Sequence, residues 1–192
     1  PVPFSVVYED DDILVVDKPA DTPIHPSIGN YENTLANGIA WYFEQKGEPF
    51  VYRCINRLDR DTTGLIVLAK HALSAAVLSQ AMRSREIHRT YQAFALGETA
   101  ASGTIDAPIA LAHCSVFSHL ELNLETGRTH QIRVHMAYIG HPLLGDTLYN
   151  KTPGTFPRQA LHSASLSFVH PITGEPLTFH APLPEDMQNL LT

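Results

Sequence analysis

The stretch NRLDRDTTGLIVLAK, residues 56–70, decides how the rest of the chain is read. Its second part, Leu65–Ala69, is an unbroken apolar run short enough for a buried strand. Its first part, Asn56–Gly64, is a polar loop that, with Arg53 just ahead of it, gathers Arg57 and Arg60 around two carboxylates, Asp59 and Asp61. The strand pins the loop to a core on its far side. An arginine beside an aspartate keeps it ionised, the form a carboxylate nucleophile requires. In an extended loop side chains alternate, which puts Arg57, Asp59 and Asp61 on one side. A salt-bridged surface turn has the same local composition.

Working outward, Ser5–Val7 and Ile13–Asp17 read as short strands around the acidic turn Glu9–Asp12. Pro19, Pro23 and Pro26 then force an irregular stretch, so the second strand delivers Lys18 to a loop. A cap at Asn33–Thr34 leads into Leu35, Ile39, Tyr42 and Phe43, one face of a helix that ends near Gly47. After Leu65–Ala69 the spacing predicts a helix from about Ala72 to Arg85, with Leu73, Ala76, Val77 and Ala81 inward. Thr90–Leu96 and Val116–Leu124 read as strands, Thr129–Ile139 as a helix closed by Gly140 and Pro142, and Leu161–Phe168 with Leu177–Phe179 as further strands. Repeats and low-complexity segments are absent. Strands outnumber helices and short turns join them, which predicts an α+β class with a mixed, largely antiparallel central sheet and flanking helices.

A length of 192 residues suits a single domain over 1–192 with a sizeable core. The 44% hydrophobic and 17% charged content is that of a folded soluble protein, and no apolar segment has bilayer-spanning length. The opening PVPFSVVYEDDD has no basic region followed by an apolar stretch, so no signal peptide is expected. Two cysteines, Cys54 and Cys114, cannot make a disulfide framework, and a reducing cytoplasm is expected. Each reads as a small buried hydrophobe. A net charge of −7 argues at first against nucleic acid, but the charge is segregated. Residues 51–89 carry seven basic and three acidic side chains, and residues 128–158 carry four and one, whereas 1–50, 90–127 and 159–192 are acidic. Two basic stretches can line one cleft while the acidic segments face elsewhere; random segregation is the alternative.

A second chemical segment, Thr126–His135, places a glycine turn before a helix start rich in donors: Arg128, Thr129, His130, Gln131 and the free amides of the first turn. It suits phosphate or ribose oxygens. His130 and His135 are five apart and do not share a helical face as an i, i+4 zinc pair does, so no metal site is expected. On the same helix Ile132, Met136 and Ile139 form an inward stripe, and Arg133 is turned about 100° from Ile132, free to enter a cleft.

These residues resemble a known family. NRLDRDTTGLIVLAK is similar to the HRLDxxTSGxxxxAK signature of RluA-type pseudouridine synthases. Three further blocks follow the family's order: VVYEDDDILVVDKPADTPIHPS; RTYQAFALG; and ETGRTHQIRVHMAYIGHPLLGDTLY with LHSASLSFVHPITGE. The resemblance covers nearly the whole chain. It implies an α+β domain whose curved sheet is split by a basic cleft, and an isomerase that detaches uracil from ribose, turns it and rejoins it through carbon-5, without metal or cofactor. By residue, it implies Asp59 as the catalytic aspartate, Tyr91 as the aromatic platform for the base, Arg133 as the arginine paired with the aspartate, and Arg57 as a residue that helps displace the base. Arg60, Arg128, His130, Gln131 and Lys18 are expected RNA contacts. The partner implied is rRNA or tRNA, bound by a monomer, with no membrane. A uridine stacked in RNA must be extruded first, so a basic cleft with an aromatic platform is physically expected.

The chain departs from the pattern at Asn56 (usually His), Thr63 (Ser) and Arg89 (commonly Lys), each keeping size or polarity. At Leu111–Cys114 a hairpin of a few tens of residues is missing, and the small RNA-binding domain that many relatives carry in front is not in this sequence. Two rival readings remain at this point. An RNA-binding module without catalysis explains the basic cleft but has no need of Asp59, Tyr91 and Arg133 together. A retaining glycosidase needs a second carboxyl group, for which Asp61 and Asp146 are the candidates.

Overall fold

The apolar run is strand β3, Thr63–Ala69, in which every residue is buried. A computed structural model describes residues 2–28, 31–100, 103 and 117–191. Before β3 come β1 (Ser5–Glu9), β2 (Ile13–Lys18) and α1 (Leu35–Lys46); after it come α2 (Ala72–Arg83), β4 (His88–Leu96), β5 (Phe117–Asn123), α3 (Gln131–Tyr138), β6 (Leu161–Val169), β7 (Pro176–His180) and α4 (Glu185–Gln188). The seven strands form one sheet in the order β1-β2-β3-β6-β4-β5, with β7 also on β6. Every pairing is antiparallel except β3 with β6. The expected α+β class with a largely antiparallel sheet is what forms. None of the described helices is long and apolar enough to cross a membrane. The missing hairpin at Leu111–Cys114, and Cys114 itself, lie outside the described residues.

Strands β2 and β3 are apolar throughout because both faces of the sheet are covered. Leu14, Val16, Ile66 and Leu68 face α1 through Leu35, Ile39 and Phe43, while Ile13, Val15, Leu65 and Val67 face α2 through Leu78. Helix α1 starts where its caps require. Thr34 and Asn37 form a reciprocal capping box, and Gly47 ends the helix at φ +69°. Helix α2 is rotated from expectation. Ser74 and Leu78 are its buried residues, whereas Leu73 and Val77 are exposed. Ala75, Met82 and the expected Ala81 pack inward beside Leu78, and the Ser74 hydroxyl donates to Asp12 Oδ1 at 2.9 Å. Lys18 needs a correction as well. It closes β2 fully buried, not on a loop.

The β3–β6 contact is only two rungs long: Thr63 opposite His162 and Gly64 opposite Ser163. Beyond it, β7 takes over the same edge of β6 from Ser165 to Val169. The sheet therefore splits at β6, and the polar loop 56–62 enters β3 at the fork. Gly64 makes this join possible. Its φ is +112°, and a Cβ there would stand 2.3 Å from the Ser163 carbonyl oxygen. Gly154 also has a positive φ, of +74°, but faces open space. Gly64→Ala should cost roughly 2–5 kcal/mol through backbone strain and collision, against about 1 kcal/mol for Gly154→Ala. Urea unfolding of the two variants checks this, and equal losses would mean that the close approach to Ser163 does not matter.

Candidate active site

The loop is not extended. The Thr62 amide donates to the Asp59 carbonyl at 3.1 Å, closing a tight turn over Asp59-Arg60-Asp61-Thr62. This ends the expected alternation at Asp59: Arg57 and Asp59 both line the cleft, and Asp61 does not. Arg60, at the tip, pairs with Asp21 at the surface. Two cations anchor the turn by its main chain. Lys18 Nζ donates to the carbonyls of Pro19, Thr22 and Arg60 at 2.7, 2.9 and 2.7 Å. Burial lowers the Lys18 ammonium to about 7, and the nearby Arg158 charge adds to the fall against the pull of Asp61 and Asp59. Arg158 is forked onto Asp186 and extends its remaining nitrogen to the Asp61 carbonyl at 3.1 Å. Behind the loop, the Asn56 amide substitutes for a strand neighbour: its Nδ2 donates to the Leu65 carbonyl and its Oδ1 accepts from the Val67 amide.

Held in this way, Asp59 faces an open cleft whose lining includes Arg57, Arg89, Tyr91, Arg128, His130 and Arg133. Its side chain keeps 24% of its surface exposed. Arg133 Nη1 donates to Asp59 Oδ2 at 3.1 Å. The other two nitrogens of that guanidinium hold Asp146, Nε to Oδ2 at 2.7 Å and Nη2 to Oδ1 at 2.8 Å. Burial works against ionising Asp146, but Arg133 and the amides of Tyr149 and Leu148 outweigh it and hold the carboxyl below its ordinary range. Burial likewise works against the Arg133 charge, and Asp146 and then Asp59 overcome it. The Tyr149 ring lies 5.3 Å from the guanidinium, and its hydroxyl meets His130 Nδ1 at 3.0 Å. His130 caps α3 in the left-handed region at φ 54°, so Thr129 lies outside the helix expected there. Its Nε2 is 3.7 Å from Asp59 Oδ1.

Strand β4 supplies the floor. Arg89 and Tyr91 alternate on one face, both buried and both facing the cleft. Burial raises the Tyr91 phenol, partly offset by the Arg89 charge and a Ser163 hydrogen bond. The cleft thus brings together Asp59, Tyr91, Arg133, Arg57, Arg128, His130 and Gln131. Gln131 Oε1 accepts from Thr126 and from the Arg128 amide, bracing the glycine turn. Lys18 and Arg60 do not join them. Of the two basic stretches, Arg57 and Arg89 come from the first, and Arg128 and Arg133 from the second. Arg83, Arg85, Lys70 and Arg158 are engaged elsewhere. Sequence reading gave no cleft role to Arg89, although strand alternation with Tyr91 signalled one, and it weighed Asp146 only as a glycosidase acid. That rival is removed for Asp146, whose two oxygens are taken by Arg133 and backbone amides.

Similarity to known proteins gives the family and the fold. A family model described as RNA pseudouridylate synthase matches residues 12–138. Ribosomal large subunit pseudouridine synthase D of Vibrio cholerae is 42% identical over 224 residues, covering 97% of this chain and 69% of its own. An uncharacterized RNA pseudouridine synthase of Bacillus subtilis is 42% identical over 216 residues, covering 100% and 76%. Among solved structures, human RNA pseudouridylate synthase domain containing 4 has the same fold, with a TM-score of 0.75 at 18% identity over 97% of this chain and 91% of that one. With a split sheet, a carboxylate in a basic cleft and relatives matched along nearly its whole length, the chain belongs to the RNA pseudouridylate synthase family.

Proposed function

We propose that the cleft at Asp59 isomerises uridine in large-subunit ribosomal RNA, with Asp59 as nucleophile. One observation carries the reading: Asp59 is a partly exposed carboxylate beside a guanidinium that a second, fully buried carboxylate already holds in place. The reaction breaks the bond from N1 to C1′ of the ribose and forms one from C5 to C1′. A proton leaves C5 and one is taken up at N1, so no oxidant or reductant is needed. Attack of Asp59 on C1′ keeps hold of the ribose while the base turns. Arg133 aims the attacking carboxylate through its Nη1 hydrogen bond to Asp59 Oδ2, and its fork on Asp146 removes the need to reorganise during the reaction. Tyr91 offers a flat floor for the base, and Arg57, exposed and without an ion-pair partner among the described residues, is placed to follow the base out of the stack. Arg128, His130 and Gln131 form the rim for the RNA backbone. The names of the relatives favour ribosomal over transfer RNA, and the chain acts as a single catalytic domain, a cytoplasmic monomer. Mapping pseudouridines in ribosomal and transfer RNA from cells lacking the protein tests the substrate, and sites lost only from transfer RNA would overturn it.

Asp59→Asn should abolish pseudouridine formation while leaving folding and RNA affinity nearly unchanged, because the amide keeps the shape without the nucleophile. Mass-silent nucleoside analysis after prolonged incubation checks this, and activity within tenfold of the parent counts against the assignment.

Arg133→Met alone strands Asp146 as an unpaired buried charge and should destabilise the fold by about 3–5 kcal/mol. Adding Asp146→Asn removes that charge and keeps an acceptor for the two amides. The double variant should therefore regain most of the lost stability but remain at least a hundredfold slower at saturating RNA. Recovery of turnover along with stability would reduce Arg133 to a scaffold.

Asp146 also sets part of the acid limit. Its folded carboxyl titrates below the unfolded value of about 3.9, so its stabilisation is complete above that pH and is lost as pH falls through the folded value. The difference in urea midpoint between the parent and Asp146→Asn should therefore be constant from pH 5 to 7 and shrink below about pH 4.

A further inference from the structure

Every other buried cation described above has a full set of partners: Arg133 has two carboxylates, Arg158 has one and three carbonyls, and Lys18 has three carbonyls. Arg89 does not. It is 5% exposed, and among the described residues its guanidinium makes no ion pair and one hydrogen bond, a 3.5 Å contact from Nη2 to the Leu124 carbonyl. Its Nε is the one buried side-chain nitrogen or oxygen without a partner among the described residues. An uncompensated guanidinium at this depth is costly, and an anion or other acceptor arriving from outside the chain would relieve that cost.

The surroundings indicate what arrives. Arg89 lines the same cleft as Asp59, and Gly127 lies so close over it that a Cβ there would stand 2.6 Å from Nη1. The bare backbone of Gly127 thus lets the turn before α3 rest against the guanidinium. The exposed Arg128 side chain and Gln131, the first residue of α3, line the same cleft, and a helix start carries a partial positive charge. A base carbonyl could accept one hydrogen bond here but would leave the charges of Arg89 and Arg128 unneutralised. A phosphodiester meets both demands.

We propose that Arg89, Arg128 and the start of α3 form a seat for one RNA phosphate, that adjoining the uridine held against Tyr91. The seat rests on the reading of the cleft as an RNA-modifying site and adds to it a second fixed point, separate from Asp59, that sets where the ribose stops. Gly127 belongs to the seat because any side chain there would displace the guanidinium.

The test uses bulk RNA from cells lacking the protein, which contains the target whichever RNA carries it. Pseudouridine formation by the parent reports on the activity itself; if none forms, the reading of the cleft fails independently of the seat. Where it forms, log(kcat/KM) is followed against log[salt] for the parent, Arg89→Met and Arg89→Lys. Losing one phosphate contact should flatten the slope by roughly 0.7–0.9 in Arg89→Met, with kcat/KM at least tenfold lower at low salt, while Arg89→Lys keeps most of the slope. An unchanged slope in Arg89→Met, or equal losses in both variants, overturns the seat. A second readout does not depend on turnover. Replacing an unpaired buried cation with an apolar chain should leave the thermal midpoint of Arg89→Met at or above that of the parent. Inorganic phosphate, compared with chloride at equal ionic strength, should raise the midpoint of the parent more than that of the variant. A variant that melts lower and responds equally to phosphate would make Arg89 a structural residue and end the proposal.

Discussion

The molecule depends on the two-rung contact between β3 and β6. Without it the sheet would be two separate pieces, β1-β2-β3 on one side and β4, β5, β6 and β7 on the other. Because β3 stays on β6 for only two residues before β7 replaces it, the sheet opens into a fork, and the chain entering β3 must cross the mouth of that fork. The turn carrying Asp59 is that crossing segment, and α3 delivers Arg133 from the opposite side. Tyr91 and Arg89 come from β4, the strand that borders β6 along its other edge. The site is a consequence of how a sheet is split, and Gly64 is the residue that allows the split to be bridged at all.

Two sets of basic residues differ in their electrostatic role. Lys18, Arg133 and Arg158 are buried cations whose partners lie within the protein, and they hold backbone and carboxylates in place. Arg57 and Arg128 are exposed at the cleft and have no ion-pair partner among the described residues. The acidic net charge of −7 is compatible with RNA binding because the surface acids lie elsewhere, many of them neutralising lysines and arginines away from the cleft, as Glu9 does for Lys46 and Lys70.

Much of this was legible in the sequence where local rules govern. The α1 caps, the apolar run of β3 and the offset of Arg133 from the Ile132 stripe are set by residues within a few positions of one another. The errors occur where a distant group decides. Lysine after a strand ordinarily reads as solvated, but Lys18 is drawn inward by carbonyls that include one from residue 60. Several faces of α2 carry apolar residues, and the one that packs inward, with Leu78, Ala75, Ala81 and Met82, is also tied by a hydrogen bond from Ser74 to Asp12, sixty-two residues away. Asp146 could not be assigned to Arg133 from spacing, because a turn and a strand-like bridge at Leu143 separate them. The tight turn after Asp59 defeated the alternation argument because nothing in Arg60-Asp61 distinguishes a turn from an extended polar segment.

The anchoring of the turn by its carbonyl oxygens has an evolutionary consequence. Lys18 and Arg158 grip the main chain at residues 60 and 61, and every amino acid presents the same carbonyl there. The acceptors of the grip therefore do not depend on which side chains follow the aspartate, although the Asp61 charge favours the charged form of Lys18. Position 60 can drift, exchanging the surface pair Arg60–Asp21 for other polar contacts, while the carbonyls that Lys18 and Arg158 hold remain. Such a turn separates the part of the loop that has to stay fixed from the part that can be adapted to a new RNA, and a lineage can change what it recognises without rebuilding how it reacts.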